Sequence, residues 1–560
     1  MLPKLLFVLY LLSSPFISYC QSPIAPKREF RAVWIATVNN IDWPSKKGLS
    51  PQKQQAEFIQ LLDKHKRFGF NAVIVQVRAA ADAFYSSKYE PWSEWLSGKQ
   101  GRPTQPYYDP LEFMIREAHK RGMEFHAWIN PFRAVTNVKS AHIHENHITK
   151  TRPQWFLKYG SLKFFNPGIP EVRDYLVKIV TDIAKRYDVD GIHFDDYFYP
   201  YPDLGSNMGD KRTFYKYRKG FKYIEDWRRD NVSQFIEAVH ESVVAHKPFV
   251  KFGVSPFGVW RNRYNSAYGS NTNSGYTSYD HLYADIRLWL QNGWVDYVAP
   301  QLYQNTKHNK IPFREMVQWW SQNTFGKHLY IGHAAYRIYW SSDKSWYDKK
   351  EIPAQIQHSR KFDNKVHGSI FYSATSVLRN RGHFVDSLRK HYYQYPALLP
   401  TMPWKDNTPP PPPINPTFTF KNQMINIQWA APTTEEKSDH IKSYLLYRFH
   451  KSDSINFENP AHILAILSPT QESYPIQQLQ HFDEYNYYLS AIDRLNNEST
   501  PIEVQLPTEE IIAQLQLPFP KSVIEYFADF MIQKSKDLFK NKSGTASLKT
   551  TESNISEYGK

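Results

Sequence analysis

Eight times between residue 31 and about residue 390, a short run of β-branched or aromatic residues is followed by a longer amphipathic segment. This repetition predicts a parallel sheet with helices packed outside it, because parallel strands need long crossover connections. The runs are RAVWIA (31–36), AVIVQV (72–77), EFHAWIN (124–130), GIHFDD (191–196), KFGVSP (251–256), YVAPQLY (297–303), LYIGHAA (329–335) and GSIFYS (368–373). Amphipathic spacing predicts helices over roughly 51–68, 109–121, 170–187, 226–246, 280–291, 312–323, 351–363 and 378–391. Eight such repeats over 28–400 fit a closed (β/α)8 TIM barrel better than an open sheet.

A proline-rich linker, KDNTPPPPPIN (405–415), ends the pattern, since consecutive prolines hold an extended, semi-rigid chain. Residues 416–506 then alternate in TFTF, MINIQW, SYLLYRF and EYNYYLSAIDRLNNES, which predicts a fibronectin type III-like β-sandwich with Trp429 and Tyr485 to Tyr488 in its core. Val523, Ile524, Phe527 and Met531 mark a further helix over 520–542, and the Ser, Thr and Lys of 543–560 predict a disordered tail.

At the other end, Lys4 precedes the apolar run LLFVLYLLSSPFI, too short to span a bilayer comfortably, so residues 1–20 read as a secretory signal peptide. ISYC is similar to a bacterial lipobox except at Tyr19, where that motif takes a small residue; the mature chain starts at Gln21 or at a lipidated Cys20. Cys20 is the single cysteine, so no internal disulfide can form. The formal charge of +15 favours anionic partners. Export to the periplasm or cell envelope, anchored to the outer membrane if Cys20 carries lipid, argues against nucleic acid as that partner.

The fourth strand run carries the least ordinary chemistry. Alternation turns Ile192 and Phe194 towards the helices and His193 and Asp195 into the barrel, leaving Asp196 at the mouth. Barrel interiors are normally filled by branched apolar residues, and an unpaired buried charge is costly. The pair is therefore either a structural hydrogen-bond network or a pair of catalytic carboxylates, one of which keeps its proton near neutral pH.

Other strand ends add polar groups on the same face: Arg78 and Asp82, Asn130 and Arg133, Ser255, Gln301 and Tyr303. Aromatic residues accompany them at Trp34, Trp92, Trp95, Trp128, Tyr197, Phe198, Tyr199 and Trp260. Carboxylates within aromatic walls describe a carbohydrate site, where rings stack on sugar faces and an acid serves the glycosidic oxygen. His126, His193 and His333 lie on three strands, but the first strand lacks paired histidines and no HExxH or Cys/His cluster occurs. Satisfied interior histidines are the favoured reading; neither a metal nor another cofactor is expected.

The segments FRAVWIATVNNIDWPS, YYDPLEFMIREAHKRGMEFHAWINPFRA, NPGIPEVRDYLVKIVTDIAKRYDVDGIHFDDYFYPYP, FGVSPFGVWRN and DYVAPQLYQ together resemble the glycosyl-hydrolase-like 10 family of bacterial envelope proteins. The resemblance covers roughly 28–400 and implies a (β/α)8 barrel that hydrolyses peptidoglycan glycan strands stripped of their stem peptides. Two mechanisms fit: two carboxylates flanking the bond, with Asp82 as the second, or assistance by the substrate's 2-acetamido group. In the second, Asp195 orients that group and Asp196 is the general acid, with Gln301 and Tyr303 as hydrogen-bond partners. Two rivals stay open, a non-catalytic glycan-binding envelope protein and a glycosidase acting on another polysaccharide.

Overall fold

A computed structural model describes residues 25–505 apart from 140–141, 203–206, 363, 422–423, 435–439 and 477–483. The signal peptide expected over 1–20 with Cys20, the helix expected over 520–542 and the tail expected after it lie outside the described residues. Eight parallel strands close a barrel in chain order: β1 (Phe30–Ile35), β2 (Ala72–Arg78), β3 (Glu124–Ile129), β4 (Gly191–Phe194), β5 (Lys251–Val254), β6 (Tyr297–Val298), β7 (His328–His333) and β8 (Gly368–Phe371). β8 pairs back onto β1 through Phe30 to Val33.

Several strands stop short of their apolar runs at the same end of the barrel. Pro131, Pro256 and Pro300 follow β3, β5 and β6 and cannot donate to a ladder. Beyond Pro300 only isolated bridges continue, from Gln301 to Phe257 and to Gly332. The helix expected over 109–121 runs Pro110–His119, capped by Asp109, which accepts from Leu111 N at 3.0 Å, with Pro110 at the first helical position. Two expected helices are each split. The 280–291 segment breaks into Ser278–His281 and Ile286–Gln291, the second capped by Asp285. The 378–391 segment forms Ala374–Arg379 and Phe384–His391, because Asn380, Gly382 and His383 take left-handed conformations. Unforeseen in the sequence, the loop after β3 builds an antiparallel sheet from 133–135, 156–159 and 162–165. No helix among the described residues is long and apolar enough to cross a membrane.

Alternation along the strands separates two apolar layers. Val33, Val75, Phe125, Ile192, Phe194 and Phe252 face the helices, whereas Phe30, Trp34, Ile74, Trp128, Tyr297, Tyr330 and Ile370 fill the barrel. The interior is more polar than a hydrocarbon core. Glu124 Oε2 meets His126 Nε2 at 3.1 Å, Tyr297 Oη lies 2.8 Å from His126 Nδ1 and 3.0 Å from His193 Nδ1, and Trp34 Nε1 donates to His193 Nε2 at 3.1 Å. Glycine makes room for this axis: a Cβ on Gly253 would stand 2.1 Å from the Tyr297 ring, and one on Gly191 2.6 Å from His126.

After residues 406–413, which form neither helix nor strand, the chain builds a β-sandwich from one three-stranded and one four-stranded antiparallel sheet. Trp429, Tyr444, Leu446, Tyr487 and Leu489 fill it. Of the tyrosines expected there, Tyr488 points to the other face and packs on Phe457 at 5.3 Å, as strand alternation requires. The sandwich covers the end of the barrel where strands begin. Lys442 Nζ reaches Glu124 Oε1 at 2.6 Å beside Lys251, and Arg28 ties Leu399 O and Asn496 O together, each at 2.8 Å.

Gly253→Ala is expected to lower unfolding free energy by about 3 kcal/mol, since the backbone of β5 cannot move away from Tyr297 without breaking the barrel. Gly275→Ala, where nothing lies within 4 Å, serves as control and should change it by less than about 0.5 kcal/mol. Urea denaturation followed by tryptophan fluorescence reads both.

Candidate active site

The C-terminal end of β4 delivers two carboxyls into the barrel mouth. Asp195 continues the inward alternation of β4; its Oδ2 accepts from Trp128 Nε1 at 3.2 Å and from Asn130 Nδ2, while Tyr197 N approaches Oδ1 at 3.4 Å. A chain of fixed donors orients Asn130. Gln76 Oε1 accepts from the backbone of Thr37 and Val38, so Gln76 Nε2 donates to Asn130 Oδ1 at 2.7 Å, and the Asn130 amide must then turn its N–H towards Asp195. Asp196 accepts from the Tyr201 hydroxyl, and the Gln301 amide also holds it. Gln301 is itself tied to Ser255 O at 3.1 Å.

Both aspartates are buried. Burial pushes the Asp195 carboxyl up to about 7; the Arg133 guanidinium pulls against this and the neighbouring Asp196 charge adds to it. Burial also raises Asp196, opposed by its bonds to Tyr201 and Gln301. Neighbouring carboxyls in one low-dielectric site cannot both ionise freely, so the two titrate as a pair that holds a proton near neutral pH.

Aromatic rings line the space above. Tyr372 lies 6.4 Å from Trp34 and 6.3 Å from Tyr303, and Tyr303 meets Tyr336 edge-on at 5.9 Å. Tyr197 is 40% exposed, with Arg133 4.1 Å from its ring centre. Two cavities open beside the pair. One of about 270 Å³ is bounded by Tyr336, Trp340, Tyr372 and Arg381, and one of about 470 Å³ by Arg133, Tyr159, Lys163, Tyr197 and Tyr201.

Of the residues singled out in the sequence, Trp34, Trp128, Asn130, Arg133, Tyr197, Ser255, Gln301 and Tyr303 gather around Asp195 and Asp196. Five do not. Arg78 is fully buried, paired with Glu90 at 2.6 and 2.7 Å and bonded to Pro131 O at 3.0 Å, so it braces the loop beneath Asn130. Asp82 turns into its own loop, accepting from Ala80 N at 3.2 Å and bonding Ser93, and so does not stand across the cleft from Asp195. Trp92 packs on Tyr107, Tyr199 is buried against Tyr283, and Trp260 stacks on Trp319. Trp95 lies under Lys47 and Phe198 against Trp289.

The histidines divide as well. His126 and His193 are interior, and burial holds both below the ordinary imidazole value. His333 corrects the expectation of a third interior histidine: alternation puts Gly332 inside, and His333 bonds outward to Gln355 and Ser369. Sequence reasoning missed Tyr201, Tyr336, Trp340 and Tyr372. Tyr372 carried a signal, since it falls two residues after the inward-facing Ile370; the others sit on loops without periodicity.

Comparison with known proteins adds the following. The description "Glycosyl hydrolase-like 10" matches residues 29–348. The chain is 42% identical over 504 residues to "Glycosyl hydrolase YngK" of Bacillus subtilis (strain 168), covering 89% of this chain and 96% of that protein. It is 40% identical over 326 residues to "Glycosyl hydrolase DigH" of Escherichia coli (strain K12), covering 55% and 73%. Among solved structures, the PgaB (BpsB) glycoside hydrolase domain from Bordetella bronchiseptica matches with a TM-score of 0.39 at 14% identity, covering 65% of this chain and 98% of that one.

Because burial raises Asp195 above its unfolded value, the folded state binds more protons between about pH 4 and 7, and stability falls as pH rises through that window. Asp195→Asn keeps an acceptor for Trp128 and Asn130 but carries no charge. It is expected to be more stable than wild type above pH 7, with the difference shrinking towards pH 4, as read by thermal melts across that range.

Proposed function

The chain belongs to the glycosyl hydrolase-like 10 family and is a glycoside hydrolase, and on that premise we propose that it cleaves peptide-free peptidoglycan glycan strands through Asp195 and Asp196. The observation that carries this reading is the position of the pair: one carboxyl deep and rigidly held, the next at the barrel mouth, both beneath a wall of aromatic rings. An amino-sugar polymer fits such a wall, because its 2-acetamido group can act as the nucleophile.

In this mechanism the acetamido oxygen attacks C1 as the C1–O bond to the leaving sugar breaks. Asp196, at the mouth, gives its proton to the departing oxygen. Asp195 accepts a hydrogen bond from the amide N–H and stabilises the positive charge that develops on the closing ring. Water then adds at C1 and gives a proton back to Asp196, and the anomeric configuration is retained. Asn130 and Trp128 keep Asp195 from rotating, which holds the amide in attacking geometry.

The rest of the chain accords with an envelope enzyme: a signal peptide over 1–20, an anchor if Cys20 is lipidated, the barrel over 28–400, the linker over 405–415 and a fibronectin type III-like module over 416–506, for which the three- and four-stranded sheets are the support.

Asp195→Asn and Asp196→Asn should each lower kcat on purified peptide-free strands by at least about 100-fold while strand binding persists. On an N-acetylglucosaminide with an activated aryl leaving group, which needs no protonation, Asp196→Asn should recover most of its kcat and Asp195→Asn should not. Full turnover by both variants on the strands would make the pair structural. Binding of strands by wild type with no cleavage would make the protein a glycan-binding scaffold, and cleavage of chitin or neutral glucans in preference would move the substrate to another polysaccharide.

A further inference from the structure

The segments after β7 and β8 bring Trp340 and two arginines, Arg379 and Arg381, to one side of the barrel mouth. Arg379 and Arg381 line the cavity of about 270 Å³ that shares Tyr372 with the aromatic wall around Asp195. Trp340 stands there 71% exposed, with the Arg381 guanidinium 4.4 Å from its ring centre. A guanidinium stacked on a ring keeps its N–H edge free, and that edge matches the two oxygens of a carboxylate. Gly382 holds this arrangement: its φ is +64°, and a Cβ would stand 2.5 Å from the Tyr339 ring, so only glycine lets the Arg381 loop close on Tyr339.

Neither arginine has a carboxylate partner among the described residues. Asp42, bonded to the cavity residues Ser373 and Thr375, is engaged there: it accepts from Ser373 Oγ at 2.6 Å, Thr375 N at 2.9 Å and Ala36 N at 2.8 Å. A subsite for a neutral sugar needs a ring to stack on and hydroxyl partners, which Trp340, Tyr336 and Ser376 supply; it does not need two unpaired cations.

We propose that this cavity is a subsite for a sugar that carries a carboxylate, with Trp340 against the sugar face and Arg381 and Arg379 on the acid. The proposal rests on the reading that Asp195 and Asp196 cleave a glycan. Two chemistries supply such a sugar: an amino sugar with an ether-linked lactyl acid, whose carboxylate is free once its peptide is removed, and a uronic acid.

The experiment uses the full chain and three ligands: peptide-free peptidoglycan strands, the same strands with carboxyls converted to neutral methylamides, and a polymer alternating amino sugar with uronate. Affinity is read by calorimetry and, wherever cleavage occurs, KM and kcat as well. Wild type should bind native strands about tenfold more tightly than amidated ones, and Arg381→Gln should lose that preference, raising KM with kcat nearly unchanged. Arg379→Gln should lose part of it. The same arginine dependence on the uronate polymer instead of the strands would keep the carboxylate subsite and assign its source to a uronate. Equal affinity of wild type for native and amidated strands and no arginine dependence on the uronate polymer, or an equal loss by Arg381→Gln on all three ligands, would overturn the proposal. Cleavage of none of the three would defeat the catalytic reading, while the calorimetric comparison would still decide the subsite.

Discussion

The barrel is organised around a hydrogen-bonded axis whose two ends are fixed by chemistry. At the mouth the Trp34 indole can only donate; at the floor the Glu124 carboxylate, held well below its ordinary range by Lys251 and Lys442 against the push of burial, can only accept. The three groups between them could each point either way. With both ends set, one arrangement satisfies all: His193 accepts at Nε2 and donates from Nδ1 to Tyr297, Tyr297 donates to His126 Nδ1, and His126 Nε2 donates to Glu124. A fully satisfied buried network specifies one geometry, whereas a partly satisfied one costs more than an apolar core. The small residues facing it, Gly191, Gly253 and Gly332, leave room for rings that a usual barrel layer of Val, Ile and Leu would exclude.

The Asp195–Asp196 pair, proposed as catalytic, sits on top of this axis at an energetic disadvantage. Burying two carboxyls side by side disfavours the folded state wherever one must ionise, which is how an active site keeps a proton available at neutral pH. The cost is tolerable because the carboxyls are held by donors that are held in turn. Asn130 depends on Gln76 and Gln76 on the backbone after β1; Gln301 depends on Ser255 O. Arg78 acts one layer further down. Its ion pair with Glu90 lies entirely out of water, and its bonds to the carbonyls of the Asn130–Pro131 turn fix the strand end that carries Asn130. Removing one partner of such a pair is expected to be felt at Asp195, although Arg78 touches no ligand.

This division explains which parts of the molecule were legible in the sequence. Period-two alternation is a strong signal, so the barrel, the inward turn of His193 and Asp195 and the gathering of Asn130 and Gln301 could be read from spacing alone. Applied to β7, the same rule turns His333 outward, because Gly332 faces the interior. Loops carry no period. Arg78 and Asp82 follow a strand end and share residue types with a ligand site, yet the loop after β2 folds back and encloses both, through contacts distant in sequence. Tyr199 and Trp260 were drawn into the site by their chemistry, when buried aromatic rings serve just as often to pack loops together. Arg381 and Trp340 belong to different loops, 41 positions apart, and become a unit only when β7 and β8 stand side by side.

The sandwich changes what counts as the barrel's floor. TIM barrels bury their strand starts under short loops, but here the Glu124 carboxylate lies buried at that end of the axis, and His126 and Lys251 from the barrel leave it short of donors. Lys442 and Asn496, both from the sandwich, complete the set. A carboxylate at this position would be costly in an isolated barrel, since an acceptor with unfilled lone pairs in a low-dielectric pocket loses more than a surface group does. The second module therefore completes the polar axis rather than hanging from a linker, and the orientation of Tyr297 and His193 beneath the candidate site depends on Glu124 and, through it, on Lys442, 318 positions beyond Glu124 in the chain.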